Sequence, residues 1–273
     1  MWEAEGFSEA ASKNLVFVSL DFPRSQEAKD KVPNPKRNDE LKNKYGVRGF
    51  PTVLVMTPDG EVFGKTGYRP GGAEPYIKHL EEMLESGKKD LADVQKLTKA
   101  LDRAEKDEDK NRAIDAIIAK LTMMNSESPF IGQLADVVSR VYPTAEGERR
   151  KACIAALINA GRVDADLVAA AKEIDADGSK GLWVKAVVQS VQSFPQGDDE
   201  VAAYLKRVTE LFDAVESIPQ EDAEFLCMVM SSLLFRVNDD EAGAVKWAQK
   251  GLDIIGDSED SRFRKFFEDM LDE

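Results

Sequence analysis

The apolar residues of the chain follow two different patterns, and the change between them divides the sequence in two. Up to about residue 87, short apolar runs are separated by turns rich in proline and glycine, which is typical of mixed strands and helices. After residue 87, apolar residues recur every three to four positions in one segment after another, as on the buried face of a helix. The pattern predicts an α+β domain over residues 1–87 and an all-α domain over residues 88–273.

The first part contains segments with the composition of β-strands. Residues 14–22, NLVFVSLDF, are rich in β-branched and aromatic side chains and predict a buried strand. Residues 52–56, TVLVM, and residues 61–68, EVFGKTGY, predict the two strands of a hairpin. The residues between them, TPDG, carry proline and glycine where a tight turn requires them.

Helical patterns separate and follow these strands. Residues 1–13, MWEAEGFSEAASK, have the pattern of a helix end. A second helix follows a proline-containing loop, with Asn38 or Asp39 as its expected N-cap and Gly46 at its end. A helix over residues 71–86 closes the first part. Its apolar face consists of Tyr76, Ile77, Leu80 and Leu84.

The second part carries no chemical motif and predicts a series of amphipathic helices. Short links containing proline, glycine or aspartate join them, as in antiparallel hairpins. Residues 241–254, EAGAVKWAQKGLDI, have small-residue and aromatic spacing loosely similar to the second helix of a tetratricopeptide repeat. We therefore expect a degenerate tetratricopeptide-like array with a groove or face for a partner. The predicted buried faces include Ile114, Ile117, Ile118 and Leu121, and Val184, Val187, Val188 and Val191.

The net charge of the chain limits the classes of molecule that it is expected to bind. With 51 acidic and 37 basic side chains the net charge is −14, which repels nucleic acid and anionic membrane surfaces. The longest dense apolar run, residues 225–235, is too short to span a bilayer, so no membrane insertion is expected. The expected partner is a protein or a peptide. No charged and then apolar leader is present, so the chain as written is expected in the cytoplasm.

No cluster of residues predicts a metal or a cofactor, and we expect none. Cys153 and Cys227 lie in apolar helical stretches and are expected to be buried, inert thiols. His79 is the only histidine, which argues against a histidine-based metal cluster, and we expect it on the exposed face of its helix. Alternating aspartates near a glycine lack the full spacing of a calcium loop, and helix caps and turns explain them better. These aspartates are Asp164, Asp166, Asp175 and Asp177.

Residues 44–60, KYGVRGFPTVLVMTPDG, place Pro51 directly before a predicted strand. Proline has no N–H for a strand ladder, so it belongs at the first residue of a strand, at a bulge, or where the backbone faces another molecule. The position therefore marks either a strand boundary or a binding edge.

Residues 44–68, with LVFVSLDF upstream and a closing helix downstream, resemble the thioredoxin-like family over roughly residues 1–87. The segments DFPRS and GFPT are similar to signatures of its secreted thiol-disulfide oxidoreductases. The resemblance implies that the Phe50–Pro51 bond is cis and that the backbone of Phe50 pairs with an extended substrate. Tyr68, on the loop after the hairpin, has either a binding role or a role in loop packing. The expected substrate or partner site consists of Gly49, Phe50, Pro51, Thr52 and Tyr68.

The chain departs from this family at the residues that carry its chemistry. The family's reaction needs a Cys-x-x-Cys pair at the start of its first helix, and this sequence contains no such pair. Residues 1–13 correspond to the end of that helix. We therefore expect that an upstream segment with a strand and the cysteines is missing, unless the protein begins late. The chain as given is expected to have no catalytic residue and to be inactive.

A missing strand also affects the expected sheet. In the thioredoxin-like fold this strand lies between those matched by residues 14–22 and 52–56, so its loss would open the sheet. The two strands would then close on each other, pair with a second copy, or stay loosely ordered.

Two functions remain open from the sequence. One is that of a thiol-disulfide oxidoreductase lineage, whose parent protein would act on proteins in the periplasm or outside the cell. The other is a non-catalytic protein-binding module that uses the cis-proline edge and the helical array.

Overall fold

The computed structural model of the chain describes residues 15–125, 128–193, 195–258 and 260–272. The chain divides into two compact units. The first consists of Met1–Glu105 with Glu127–Ile131, and the second of Lys106–Ser126 with Gly132–Glu273. The predicted fold class is confirmed, because a small sheet with helices lies near the N-terminus and the rest is mostly helical.

In its described residues the first unit contains two short helices and two strands, followed by one long helix. They are α1 (Gln26–Lys29), α2 (Pro35–Lys44), β1 (Thr52–Met56), β2 (Val62–Gly67) and α3 (Ala73–Asp102). Pro35 opens α2, where a missing N–H costs nothing. The predicted cap at Asn38 or Asp39 is wrong, because the helix begins three residues earlier and both lie inside it. Gly46, with φ of 59°, follows the end of α2 as predicted.

The predicted hairpin is present. β1 pairs antiparallel with β2, Thr52 lies opposite Gly67, and the register shifts beside Met56. The turn is closed by the amide of Gly60, which donates to the carbonyl of Thr57 at 2.9 Å. Helix α3 packs on β2. The buried side chains of the hairpin and of the start of α3 are Val55, Phe63, Tyr76, Leu80 and Leu84, whereas Ile77 is half-buried.

Helix α3 continues through Gly87, where it packs directly on the backbone of β2. A Cβ atom at Gly87 would lie 2.8 Å from Cδ2 of Phe63 and closer still to the Phe63 carbonyl oxygen. Because α3 continues to Asp102, no helix break marks residue 87, and the compact units divide after Glu105. The division into domains 1–87 and 88–273 stays a prediction.

The Gly87→Ala substitution is expected to destabilise the first unit by about 2 to 3 kcal/mol, because the added methyl group meets a backbone oxygen that cannot rotate away. The matched control is Gly64→Ala, whose Cβ would meet the flexible end of the Met83 side chain at 2.5 Å. Hydrogen exchange of the hairpin amides measures the stability of the first unit in both variants. Similar losses of protection in the two variants would contradict the close packing at Gly87.

The predicted strand over residues 14–22 is wrong for its described residues, 15–22, which form no regular secondary structure. Val16 and Val18 are 92% and 78% exposed. Strand propensity needs a pairing partner to take effect, and within the described chain the sheet has only β1 and β2. Direct closure of this segment on β1 is therefore not observed. The helix end predicted for residues 1–13 lies outside the described residues.

The second unit is an array of helices, which we call the helical array. Its members are α4 (Asp107–Met123), α5 (Ile131–Val141), α6 (Gly147–Asn159), α7 (Ala165–Ile174), α8 (Leu182–Ser190), α9 (Asp198–Ala214), α10 (Gln220–Arg236), α11 (Glu241–Ile255) and α12 (Arg264–Asp272), with a 3-10 turn at Tyr142–Thr144. Helix α4 packs on α6, α7 on α8, and each helix from α8 to α12 on the next. No helix in the described residues is long and apolar enough to span a membrane.

The predicted apolar faces of the helical array form its core. Every residue predicted for α4 is buried. Of the four predicted valines at α8 and its C-cap, Val188 is half-buried and the other three are buried. On α11 the small residues Ala244, Ala248 and Gly251 are buried, and Gly251 lies against the ring of Phe267 from α12. This close helix packing agrees with the small-residue spacing seen in the sequence, and the tetratricopeptide-like classification stays a prediction.

Candidate functional site

Pro51 lies immediately before β1, at the open end of the hairpin. Its peptide bond with Phe50 is cis. The hydroxyl of Thr52 donates to the carbonyl of Gly49 at 2.7 Å, which fixes the turn into the strand. Gly67 packs closely here, since a Cβ at this position would lie 3.0 Å from the carbonyl oxygen of Pro51.

The structure brings the five predicted site residues to one end of the hairpin. Because Thr52 pairs with Gly67, the next residue, Tyr68, follows the register opposite Pro51. The side chains of Phe50 and Tyr68 are 58% and 69% exposed. Large aromatic side chains with such exposure are available for a partner. Their binding role stays a prediction.

Two further residues join this site that the sequence did not indicate. The ring of Phe22 stacks on that of Phe50, with centroids 4.9 Å apart and planes inclined by 26°. The ammonium group of Lys42 on α2 lies 5.9 Å from the Phe22 centroid and 6.0 Å from the Phe50 centroid. We call Phe22, Phe50 and Lys42 the aromatic platform. Its residues are far apart in sequence, so no local pattern could have indicated it.

Asn38 links helix α2 to the segment that carries Phe22. It is a buried polar residue, 8% exposed, and its Nδ2 donates to the carbonyl of Asp21 at 3.2 Å. This bond ties the residue before Phe22 to α2. Lys42 lies one turn further along the same helix, so α2 positions both the cation and one of the rings.

Hydrogen bonds from α3 fix the segment that carries Tyr68. The hydroxyl of Tyr76 donates to the carbonyl of Gly67 at 3.0 Å, and burial raises the pKa of Tyr76. The Nε2 atom of His79 lies 3.0 Å from the Thr66 hydroxyl, and a guanidinium nitrogen of Arg69 lies 2.6 Å from its Nδ1. The expectation that His79 occupies an exposed face is therefore wrong, because its ring turns toward β2.

Both cysteines lie in the helical array, Cys153 on α6 and Cys227 on α10, and both are 0% exposed. Burial raises the pKa of the Cys153 thiol and raises that of Cys227 to about 12. The prediction of buried thiols is confirmed. A thiolate is the attacking form of cysteine, so neither residue is prepared for thiol exchange.

The aspartates with a calcium-like spacing have local structural roles. Asp164 caps α7 by accepting from the amide of Leu167 at 2.8 Å. Asp177 accepts from the amide of Ser179, which lowers its pKa. Asp175 is buried and accepts three backbone N–H bonds in the loop before α8. Within the described residues no group of His, Cys, Asp or Glu could hold a metal ion.

The surface of the helical array has an open depression of about 850 Å³ lined by residues of α5, α6, α7 and their links. Tyr142 and Arg150 form one wall, with the guanidinium group 4.8 Å from the ring centroid and an Nη2 bond to the hydroxyl at 3.3 Å. Asp166 and Glu173 of α7 also line it. The wall therefore combines aromatic surface with both signs of charge.

Comparisons with known proteins concern the first part of the chain. Residues 1–84 match the family described as a thioredoxin-like domain. Over 84 residues the chain is 31% identical to the disulfide bond reductase DsbH of Chlamydia pneumoniae, an alignment that covers 30% of this chain and 48% of that relative. The matched part thus spans about half the length of the curated relative. No solved structure matches the chain. Residues 1–84 are therefore similar to thioredoxin-like domains, and the same residues are similar to part of a disulfide bond reductase.

Proposed function

We propose that this chain binds extended polypeptide at the end of the hairpin that Pro51 opens, and that its own cysteines transfer no thiol or disulfide. The observation that carries the proposal is the exposure of Phe50 and Tyr68 beside Pro51, while both thiols are buried in the helical array. An extended segment beside Phe50 would use main-chain hydrogen bonds for affinity and aromatic contacts for anchoring.

The relative supplies only part of this proposal. Its name describes reduction of disulfide bonds, a reaction in which an exposed thiolate attacks a disulfide sulfur. From the similarity to this reductase we propose that the chain also recognises polypeptide. We do not carry the thiol chemistry, because Cys153 and Cys227 are buried and their raised pKa values keep them protonated.

The helical array provides a second surface for the same role. Its open depression beside Tyr142 and Arg150 offers aromatic and charged surface to side chains of a bound segment. This feature favours the binding-module version of the proposal, in which the thioredoxin-like part and the array each hold partner polypeptide.

The proposed function is tested by separating binding from turnover. The full chain should not accelerate the reduction of insulin by dithiothreitol over the thiol-only rate. It should bind reduced and carboxymethylated lactalbumin, an unfolded polypeptide without thiols, in a fluorescence polarisation assay. Phe50→Ala and Tyr68→Ala should each weaken this binding about tenfold, which corresponds to about 1.4 kcal/mol.

Met123→Ala is the matched control, because Met123 is 87% exposed on α4 and belongs to the helical array. It should leave binding unchanged. Insulin reduction that disappears in Cys153→Ala or Cys227→Ala would instead place an active site in the array. Absence of binding, or an equal effect of Met123→Ala, would contradict a binding edge at Pro51.

A further inference from the structure

The residues around the aromatic platform differ in charge from the rest of the chain. Residues 22–50 contain eight Lys or Arg and four Asp or Glu, a net charge of +4, whereas the whole chain carries −14. The basic residues are Arg24, Lys29, Lys31, Lys36, Arg37, Lys42, Lys44 and Arg48. A basic surface on an acidic protein attracts acidic partners and slows association with basic ones.

Several of these cations are not neutralised locally. Lys31 pairs with Glu27, and Arg37 pairs with Glu40. Within the described residues Lys42 and Lys44 make no ion pair, and each lies over an aromatic ring instead. A cation–π contact at an exposed site is weak, so a carboxylate can compete with the ring for the ammonium group.

The aromatic platform combines this charge with apolar surface. Phe50 is 58% exposed, and its stacking on Phe22 makes a larger apolar area than one ring offers. Arg24 and Arg48 each lie two residues from one of the rings in sequence, and both are exposed. An apolar area with cations at its edge fits an apolar side chain that has carboxylates beside it.

We propose that the aromatic platform selects polypeptide segments in which an aromatic or aliphatic side chain is flanked by Asp or Glu. The apolar side chain packs on the rings of Phe22 and Phe50, and a flanking carboxylate pairs with Lys42. This inference rests on the proposed polypeptide binding at Pro51 and adds the kind of sequence that is bound. Phe22 and Lys42 are its specificity-determining residues.

The experiment uses the full chain and three fluorescent peptides that share a central phenylalanine and differ only in the flanking residues, Glu, Gln or Lys. At low salt the Glu peptide should bind about tenfold more tightly than the Gln peptide, and the Lys peptide more weakly still. The difference in affinity between the peptides should shrink in about 0.5 M NaCl, where the screening length falls to a few ångströms.

The variant Lys42→Glu should reverse the order of affinity of the Glu and Lys peptides. Phe22→Ala should weaken all three, with Phe22→Leu as the variant that keeps an apolar side chain.

The matched control is Lys99→Glu, which changes the net charge equally on the far part of α3. Lys99 lies 26 residues after the start of α3 at Ala73, about 39 Å along the helix axis. It should leave the order of the peptides unchanged. An equal effect of Lys42→Glu and Lys99→Glu would overturn a local role for Lys42.

The failure of this inference differs from that of the proposed function. Equal binding of the three peptides, still lost in Phe50→Ala, would overturn the selectivity and leave polypeptide binding intact. Absence of binding for every peptide and for unfolded lactalbumin would overturn both. Displacement of the Glu peptide by a single-stranded oligonucleotide or by phosphatidylglycerol vesicles, at the same charge concentration, would show a general polyanion surface and contradict polypeptide selection.

Discussion

Cys227 is expected to react with iodoacetamide about a thousand times more slowly in the folded protein than in the urea-unfolded chain at pH 8. Its pKa is raised to about 12 by burial on α10. A thiol with that pKa is about one ten-thousandth thiolate at pH 8, against about one tenth for an ordinary thiol. Mass spectrometry of the peptide that carries Cys227 measures the rate directly. Alkylation of the folded protein at the unfolded rate would contradict the burial.

The same shift in pKa predicts a loss of stability in alkali. The folded state binds the thiol proton more tightly than the unfolded state, so between about pH 9 and pH 12 the unfolded chain carries fewer protons. The free energy of unfolding therefore falls as pH rises through this range, by up to about 4 kcal/mol from this group. In Cys227→Ala the alkaline loss should be smaller by that amount. Identical pH profiles for the two proteins would argue against the shift.

The low expected reactivity of the Cys227 thiol also limits the reactions in which the chain could take part. Thiol exchange with a partner needs a thiolate at the surface, and the structure offers exposed aromatic rings and lysines there instead. The exposed ring of Phe50 and the buried thiols of the helical array are independent observations. Both support the proposed polypeptide binding without thiol exchange by these two cysteines.

The sequence predicted the helical array well, because helical periodicity is local. The buried face of α4, with Ile117 and Leu121 fully buried, follows from apolar spacing alone. The hairpin could also be predicted, because the TPDG turn and the alternating strands lie within seventeen residues, 52–68. Caps and turns were predicted for the four spaced aspartates as a group, and Asp164 is a helix cap.

Features that depend on distant contacts could not be predicted in this way. Residues 15–22 have strand composition without forming a strand, because propensity does not supply a pairing partner. Asparagine is a favoured N-cap residue. The side chain of Asn38 instead donates a partly buried hydrogen bond to the carbonyl of Asp21, seventeen residues away. Phe22, Phe50 and Lys42 come together from three separate segments, so the sequence spacing indicated only Phe50.

Asp175→Ala is expected to destabilise the helical array by about 3 to 4 kcal/mol. The Asp175 carboxylate is 2% exposed and accepts from the amides of Lys180, Leu182 and Trp183 at 2.8, 2.7 and 3.1 Å. Leu182 and Trp183 begin α8, so the side chain satisfies amides that the helix itself leaves without acceptors. Alanine leaves these buried or partly buried donors unsatisfied, and each such loss costs about 1 to 3 kcal/mol without simple additivity.

Asp177→Ala provides the matched control for Asp175→Ala, since it removes the same charge from the same loop. The Asp177 carboxylate is exposed and accepts from one amide, that of Ser179 at 3.1 Å, so its removal should destabilise the array much less than Asp175→Ala does. Urea unfolding followed by tryptophan fluorescence, with Trp2 and Trp247 replaced by Phe in every variant so that Trp183 alone reports, measures the stability of this region. The Asp175→Asn variant keeps the shape of the side chain and one acceptor oxygen. Its loss of stability should lie between those of Asp175→Ala and Asp177→Ala. Equal losses in Asp175→Ala and Asp177→Ala would mean that loop charge, and not the buried bonds to the start of α8, holds this turn.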